Sequence, residues 1–271
     1  MLKHYHKVLT IAGSDSGGGA GIQADIKTFS ALGCYGMSVI TALTAQNTMG
    51  VRGVFPVSTT FITEQIDAVM SDIGADAVKI GMLFSSEIIE AVAERLNFYG
   101  VENIILDPVM VAQSGDKLLM NSAVDAMKEL LFPKAKIVTP NLPEASVILS
   151  REISDIDTME QAARDIALYD CKGVLIKGGH LDNKHMATDI LFIPEDDYIV
   201  TFTDDRIDTK NNHGTGCTLS SAIAAFIAKG NSLENAVRAA KEYISGAIKT
   251  GAAHEIGNGN GPVHHFYNIW Q

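Results

Sequence analysis

The chain has 271 residues, 46% of them hydrophobic, and carries a formal net charge of −11 from 32 acidic and 21 basic side chains. That length fills one large α/β core or two small ones, and no low-complexity linker divides it, so a single domain over 1–271 is expected. The acidic balance argues against a nucleic-acid partner, which would need a basic patch. It leaves a phosphorylated ligand open, because backbone amides and one lysine suffice to hold a phosphate.

Cys34, Cys171 and Cys217 lie far apart with no CxxC spacing. This speaks against a disulfide framework or a zinc site and for a reducing compartment. No apolar run approaches the roughly 18 residues of a membrane span, and residues 1–7 lack the apolar core of a signal peptide. A soluble, cytoplasmic protein with no membrane partner is expected.

Val8-Leu9-Thr10-Ile11-Ala12 reads as a buried strand. It runs into Gly13-Ser14-Asp15-Ser16-Gly17-Gly18-Gly19-Ala20-Gly21 and then a helix with Ile22, Ile26 and Phe29 on one face. The loop invites close approach by a ligand, or is simply a turn. It matches neither GxGxxG nor GxxxxGK[ST], which disfavours a Rossmann or P-loop site. Asp25, one turn into the helix, suits a helix N-terminus on general grounds. Tyr35 to Ala42 reads as a second strand, followed by Leu43-Thr44-Ala45-Gln46-Asn47-Thr48. The Gln46 amide both donates and accepts, as reading a heteroaromatic ring edge requires, although an exposed loop glutamine is the commoner case.

A helix around Ile62, Ile66, Val69 and Met70 precedes a third strand, Ala77-Val78-Lys79-Ile80, which ends at Gly81-Met82-Leu83. Met82 fits a pocket wall or a core gap. Ser85 or Ser86 caps the next helix. Asn103-Ile104-Ile105-Leu106 is the clearest buried strand and ends in Asp107-Pro108-Val109-Met110. A carboxylate at the C-terminal end of a central strand is where open α/β sheets place chemistry. After a helix over about 123–131, Ile137-Val138-Thr139 leads to Pro140-Asn141-Leu142-Pro143-Glu144. The spacing of Asn141 and Glu144 favours a capping box; a sparse Mg²⁺ site is the functional reading.

A helix over about 159–169 leads to Gly173-Val174-Leu175-Ile176-Lys177-Gly178-Gly179-His180, where a lysine ends an apolar strand beside two glycines, a place where lysines meet phosphate. Residues 190–193 and 199–202 read as a hairpin. Then Asn212-His213-Gly214-Thr215-Gly216-Cys217-Thr218 enters a helix whose apolar stripe is Leu219, Ala222, Ile223, Phe226 and Ile227. Such a turn offers first-turn N–H groups to an anion and places a thiol beside them, or is a helix entry with a small buried thiol. A last helix spans about 233–250. His4, His6, His264 and His265 are read as solvated.

Strands alternate with helices, and the candidate polar groups fall at or just after strand ends, which argues for a mostly parallel sheet covered on both faces. The stretches Thr10 to Asp15, Gly18 to Asp25, Ala42 to Thr48, Lys79 to Leu83, Asp107 to Met110, Thr139 to Ala145, Ile176 to His180, the Gly214–Cys217 turn and Gly261 to Phe266 together resemble the ribokinase-like superfamily. More narrowly they resemble its hydroxymethylpyrimidine/phosphomethylpyrimidine kinases, over nearly the whole chain.

The resemblance implies a three-layer α/β/α sandwich with a central, mostly parallel sheet. It implies an ATP- and Mg²⁺-dependent kinase of 4-amino-5-hydroxymethyl-2-methylpyrimidine and its monophosphate, working as a homodimer. By the same resemblance Gln46, Met82, Gly13, Asp25 and Val109 surround the pyrimidine. Asp107, Thr139, Asn141 and Glu144 surround the nucleotide, with Asp107 and Glu144 toward the metal. Lys177 meets the transferring phosphate, Gly214, Thr215 and Gly216 form the anion hole, and Cys217 is the base.

A pyridoxine/pyridoxal kinase on the same scaffold is the alternative, with Gln46 as the discriminating position. A non-catalytic metabolite-binding regulator would be expected to lack Lys177, Asp107 or Cys217, and all three are present. Residues 13–21 and the segment after His180 are the candidate closing loops.

Overall fold

The computed structural model describes residues 4–110, 121–179, 181 and 185–270. The part of the second candidate closing loop at residues 180 and 182–184 lies outside them. The strands are β1 (Lys7–Asp15), β2 (Tyr35–Asn47), β3 (Gly50–Pro56), β4 (Ala77–Ile80), β5 (Ile104–Leu106), β6 (Ala135–Val138), β7 (Val174–Lys177), β8 (Met186–Ile193) and β9 (Tyr198–Asp205). The helices are α1 (Gly21–Ala31), α2 (Thr59–Asp72), α3 (Ser86–Phe98), α4 (Asn121–Leu130), α5 (Leu142–Leu149), α6 (Ile156–Ala167), α7 (Thr215–Ala228) and α8 (Leu233–Gly251).

All nine strands join one sheet in the order β3-β2-β1-β4-β5-β6-β7-β8-β9. The run from β2 to β7 is parallel, and antiparallel pairs close both edges. Strand alternation sorts the core into two layers. Leu9, Ile11, Val78, Ile80, Ile104, Leu106, Val174 and Ile176 face α2 to α6, whereas Val8, Ala77, Ile105, Ile137 and Leu175 face α1, α7 and α8. The chain builds outward from β1 to β2 and β3, then returns to lay β4 on the other side of β1. The strand order therefore reverses between β1 and β4, and the crevice beyond their C-terminal ends is where open α/β sheets bind ligands.

Several elements differ from the sequence reading. β2 continues five residues beyond Ala42 and places Gln46 in a strand rather than a loop. The edge strand β3 escaped the pattern reading because Gly50-Val51-Arg52-Gly53-Val54-Phe55-Pro56 has two glycines, a proline and no buried face. Ser85 is the N-cap of α3 and accepts from the Ile88 N–H. Helix α7 is buried around nearly its whole circumference from Thr218 to Ala225, because it sits centrally on the sheet with α1 and α8 on either side.

His265 is not solvated. It is buried, its Nε2 lies 3.1 Å from Thr218 Oγ1, and burial pushes its imidazole down to about 3, so it is a neutral core histidine.

Candidate active site

A cavity of about 640 Å³ opens along the C-terminal edge of the parallel strands. Gly13, Gln46, Met82 and Val109 line one end; Asp107, Asn141, Glu144, Lys177 and the Gly214–Cys217 turn line the middle. Past them the lining continues toward the β8–β9 edge through Gly179, Asp189, Arg206, Thr209, Lys241 and Ile244. The fold thus gathers residues from stretches scattered between Gly13 and Ile244 onto one edge.

Asp107 and Lys177 are at the centre. Asp107 follows β5 and Lys177 ends β7, and Lys177 Nζ donates to Asp107 Oδ1 at 2.8 Å. Thr139 Oγ1 lies 3.2 Å from the same oxygen and Ser220 Oγ lies 3.1 Å from Asp107 Oδ2. Burial alone would raise the Asp107 carboxyl; the Lys177 and Lys79 ammoniums and the hydrogen bonds from Lys177 and Ser220 outweigh it and hold the group below the usual carboxylate range. Lys177 is held charged in turn, burial being overcome by Asp107 and Glu144. Lys177 Nζ comes within 3.3 Å of where a Cβ on Gly216 would stand, so the glycine leaves room for the ammonium against the turn.

Asn141 and Glu144 form the capping box that their spacing suggests. Asn141 Oδ1 accepts from the Glu144 N–H at 2.9 Å, and the Asn141 N–H donates to Glu144 Oε2 at 2.8 Å. The cap does not use up the carboxylate. The same Oε2 stands 4.0 Å from Lys177 Nζ. Burial, with Asp107 adding in the same direction, raises the Glu144 carboxyl to about 7 against the pull of Lys177 and the Asn141 N–H. Asp107 and Glu144 thus bring more acidic charge to Lys177 than one ammonium neutralises. Among the described residues no group of three or more His, Cys, Asp or Glu converges as a metal cage.

The Gly214–Cys217 turn is set by Gly214, the N-cap of α7 at φ 80°, where any side chain would be driven to 1.9 Å from the Gly19 carbonyl oxygen. Thr215 Oγ1 donates to the Asn212 carbonyl at 2.7 Å. The first-turn N–H groups of Gly216 and Cys217 have no acceptor four residues back inside the helix. Cys217 is half-buried. Burial pushes its thiol up to about 11; Lys79 opposes, while Asp25 and Asp107 add to the rise.

Of the residues expected at the site, only Asp25 and Thr139 are off the cavity wall. Asp25 is fully buried beneath the floor, where its oxygens accept from Lys79 Nζ at 3.0 Å, Thr10 Oγ1 at 2.6 Å and Ser221 Oγ at 2.7 Å. It faces Lys79 and two hydroxyls rather than a substrate, because α1 packs its inner face against β1, β2 and α7. Thr139 acts on Asp107 from behind.

The glycine-rich loop is not a phosphate cradle. The N–H groups of Gly17, Gly19 and Ala20 all turn inward to the Asp15 carboxylate at 2.8, 3.0 and 2.9 Å. Sequence reasoning gave no role to Asp15, Lys79, His213 or Ser220. Lys79 had a signal, a lone charge inside the apolar strand Ala77-Val78-Lys79-Ile80. Asp15 had a local one, the glycines just after it whose N–H groups it takes; His213 and Ser220 had none, since Asp15 and Asp107 lie far from them along the chain.

An open parallel sheet with the strand-order reversal under this site, a glycine-hinged helix N-terminus and a lysine–carboxylate centre define a ribokinase-like α/β phosphotransferase. The model of the family described as phosphomethylpyrimidine kinase matches residues 15–264. The chain is 53% identical to the hydroxymethylpyrimidine/phosphomethylpyrimidine kinase of Rhizobium meliloti, covering 97% of this chain and 98% of that one. It is 49% identical to the protein of the same name in Escherichia coli, over 97% and 98%. The crystal structure of an ADP complex of Bacillus subtilis pyridoxal kinase superposes with a TM-score of 0.90 at 38% identity, covering 98% of this chain and all of that one. The chain belongs to the phosphomethylpyrimidine kinase family and is a kinase.

Proposed function

We propose that this chain, as one kinase domain over 1–271, uses ATP and Mg²⁺ to phosphorylate the hydroxymethyl group of 4-amino-5-hydroxymethyl-2-methylpyrimidine and then the resulting monophosphate. The observation that carries the reading is the cavity's polarity. Gln46 and Met82 at one end suit an aminopyrimidine. The Lys177–Asp107 pair and the α7 N-terminus in the middle suit a transferring phosphate, and the wall around Gly179, Asp189 and Lys241, toward the β8–β9 edge, suits a nucleotide.

Phosphoryl transfer asks mainly for in-line positioning and neutralised charge on the equatorial oxygens. Lys177 and the first-turn amides of Gly216 and Cys217 supply both, the Thr215 N–H being given to the Asn212 carbonyl instead, and donors fixed in place before the reaction contribute more to the rate than any other single effect. Asp107 and Glu144 fit a hydrated Mg²⁺, which keeps several waters and few protein ligands. They are two buried carboxylates beside one ammonium, and Glu144 resists ionisation because of its burial and, after that, the neighbouring Asp107 charge, both of which a cation would offset. When bound, the metal would neutralise phosphate charge; Thr139 and Asn141 keep the two carboxylates in place.

Cys217, on the cavity wall at the start of α7, is the candidate base for the hydroxyl proton. Burial raises its thiol to about 11, so in the free protein it is protonated at pH 7. A protonated thiol cannot take the hydroxyl proton, so work as a base requires the thiolate, which the Lys79 ammonium favours against burial.

The test is a comparison of kcat/KM for hydroxymethylpyrimidine, its monophosphate and pyridoxine with ATP and Mg²⁺. The pyrimidines should be preferred; a preference for pyridoxine would transfer the reading to the activity in the name of the Bacillus subtilis neighbour. The exposed Met49, Phe55 and Phe61 beside the sheet edge support a homodimer, and sedimentation at the mass of one chain would overturn it. The three free cysteines support a reducing, cytoplasmic location. Among the described residues no helix is long and apolar enough to cross a membrane.

A further inference from the structure

The glycine-rich loop folds around one residue. The N–H groups of Gly17, Gly18, Gly19 and Ala20 all donate to Asp15, three to its carboxylate and that of Gly18 to its carbonyl. Asp15 Oδ2, which holds the Gly19 and Ala20 N–H groups, also lies 2.9 Å from His213 Nε2. A carboxylate only accepts, so His213 Nε2 is the donor in this contact. Burial alone would raise the Asp15 carboxyl, but the hydrogen bonds from His213, Ala20 and Gly17 outweigh it and keep the group ionised, below the usual carboxylate range. One side chain thus shapes the loop and ties it to the residue just before Gly214.

The backbones of loop and turn meet closely as well. A Cβ on Gly214 would stand 1.9 Å from the Gly19 carbonyl oxygen, and a Cβ on Gly19 would stand 2.4 Å from His213 Cδ2. From the C-terminal tail, the Gly261 carbonyl accepts from the His213 N–H at 3.0 Å, and His213 bridges to Pro262. His213 and Gly214 are therefore held by the loop and the tail together. Gly214 is the N-cap of α7, so its placement fixes where the Gly216 and Cys217 N–H groups point. The loop's last residue adds a link to the thiol: burial raises Cys217, and after Lys79 the Gly21 N–H is among the groups that oppose the rise.

We propose that Asp15 and His213 are positioning residues for phosphoryl transfer: through the glycine-rich loop and the contact between them, they aim the α7 N-terminus at the transferring phosphate. The inference rests on the reading of that N-terminus as the anion hole and deepens it. Donors that stabilise developing charge do so only while their direction is held beforehand. The first-turn amides of a helix share one frame, so whatever sets the N-cap aims them all. A loop with four successive N–H groups turned onto one internal residue is a strut rather than a closing element. Without the carboxylate, the turn loses its support from that side, and the chemical step slows while nucleotide binding stays.

Asp15→Asn keeps the shape but sets an amide nitrogen, itself a donor, against N–H groups. It should lower kcat by about 10- to 100-fold, the scale of a misplacement of about 1 Å, with KM for ATP and for hydroxymethylpyrimidine little changed. His213→Leu removes the donor and should also lower kcat; His213→Gln restores an N–H at the same reach and should recover most of the loss. The double variant Asp15→Asn/His213→Leu should fall about as far as Asp15→Asn alone, because the two act as one unit. Binding of ADP with aluminium fluoride and hydroxymethylpyrimidine, a mimic of the transferring phosphate, gives a readout that a purely structural role would not move. It should weaken by the same factor as kcat while ADP alone binds as to wild type. Wild-type kcat in Asp15→Asn, or a raised KM for hydroxymethylpyrimidine with kcat kept, overturns the proposal. If Asp15→Asn does not fold, equal kcat in His213→Leu and His213→Gln overturns it instead. A wild-type protein that transfers phosphate yet binds the aluminium fluoride complex no more tightly than ADP would break the anion-hole reading itself.

Discussion

Two lysine–aspartate pairs stand side by side in this molecule, and they do different work. Lys79–Asp25 lies under the cavity floor, both side chains wholly buried, with Thr10 and Ser221 completing the carboxylate's partners. Lys177–Asp107 lies at the cavity wall, where 13% of the lysine side chain remains exposed and a second carboxylate, Glu144, leans on the same ammonium. The chemistry is the same, and both lysines are held charged by their carboxylates against burial. The difference is closure. A closed pair ties α1 and α7 to β4 and has no capacity left for a ligand. An open pair with surplus acid beside it can exchange partners when phosphate and cation arrive.

Breaking each pair should separate these roles. Lys177→Met is expected to lower kcat by about 10²–10³ with little change in Tm. Lys79→Met strands the Asp25 charge in the core and should cost about 3–5 kcal/mol of stability, read by denaturant unfolding. If Lys79→Met folded as well as wild type, or Lys177→Met unfolded, the contrast would fail.

Glu144→Gln sharpens the comparison from the open side. The Glu144 carboxyl is raised from 4.5 to about 7 in the folded chain, so its ionisation costs the fold stability that is present below pH 4.5 and lost as pH rises through 7. Glutamine preserves the capping box and removes the titration. The variant should therefore match wild type near pH 4.5 and exceed it above pH 7 by up to a few kcal/mol, while losing activity. A stability gap independent of pH would show that the carboxylate is not strained by its neighbours.

Cys217, between the two pairs, gives the smallest effect on the fold and a graded chemical one. Alkylation of Cys217 by iodoacetamide, followed by mass spectrometry, should accelerate about tenfold per pH unit between pH 7 and 9, because only the thiolate reacts and its pKa lies near 11. Cys217→Ala should lower kcat by roughly 10²–10⁴ with KM little changed. A plateau in alkylation below pH 9 would mean that Lys79 stabilises the thiolate more than burial opposes it. Near-normal turnover of the alanine variant would leave the anion hole alone responsible for the rate.

Most of the architecture was legible from residues. Short apolar strands, each ending in a polar or glycine punctuation, announce a parallel sheet because a strand buried on both faces has no other composition available to it. Asn141 and Glu144 announced their cap for the same local reason: the partners are three residues apart. Edge strand β3 was not legible, since its residues are neither buried nor alternating. Asp25 was misplaced in the sequence reading because proximity in a motif does not say which side of a helix faces the ligand.

By itself, then, the sequence determined what depends on local spacing and strand-end chemistry: the α/β alternation, the helix entry at Gly214–Cys217, and Asp107 and Lys177 at strand ends. Only the tertiary structure decided what depends on partners far apart in the chain. It brought Lys177 and Asp107, 70 residues apart, into one 2.8 Å contact. It turned the glycine-rich loop's amides onto Asp15 instead of a ligand, and it closed one lysine–aspartate pair while leaving the other open. Burial and mutual orientation set those outcomes, and neither is a property of a residue read in its own neighbourhood.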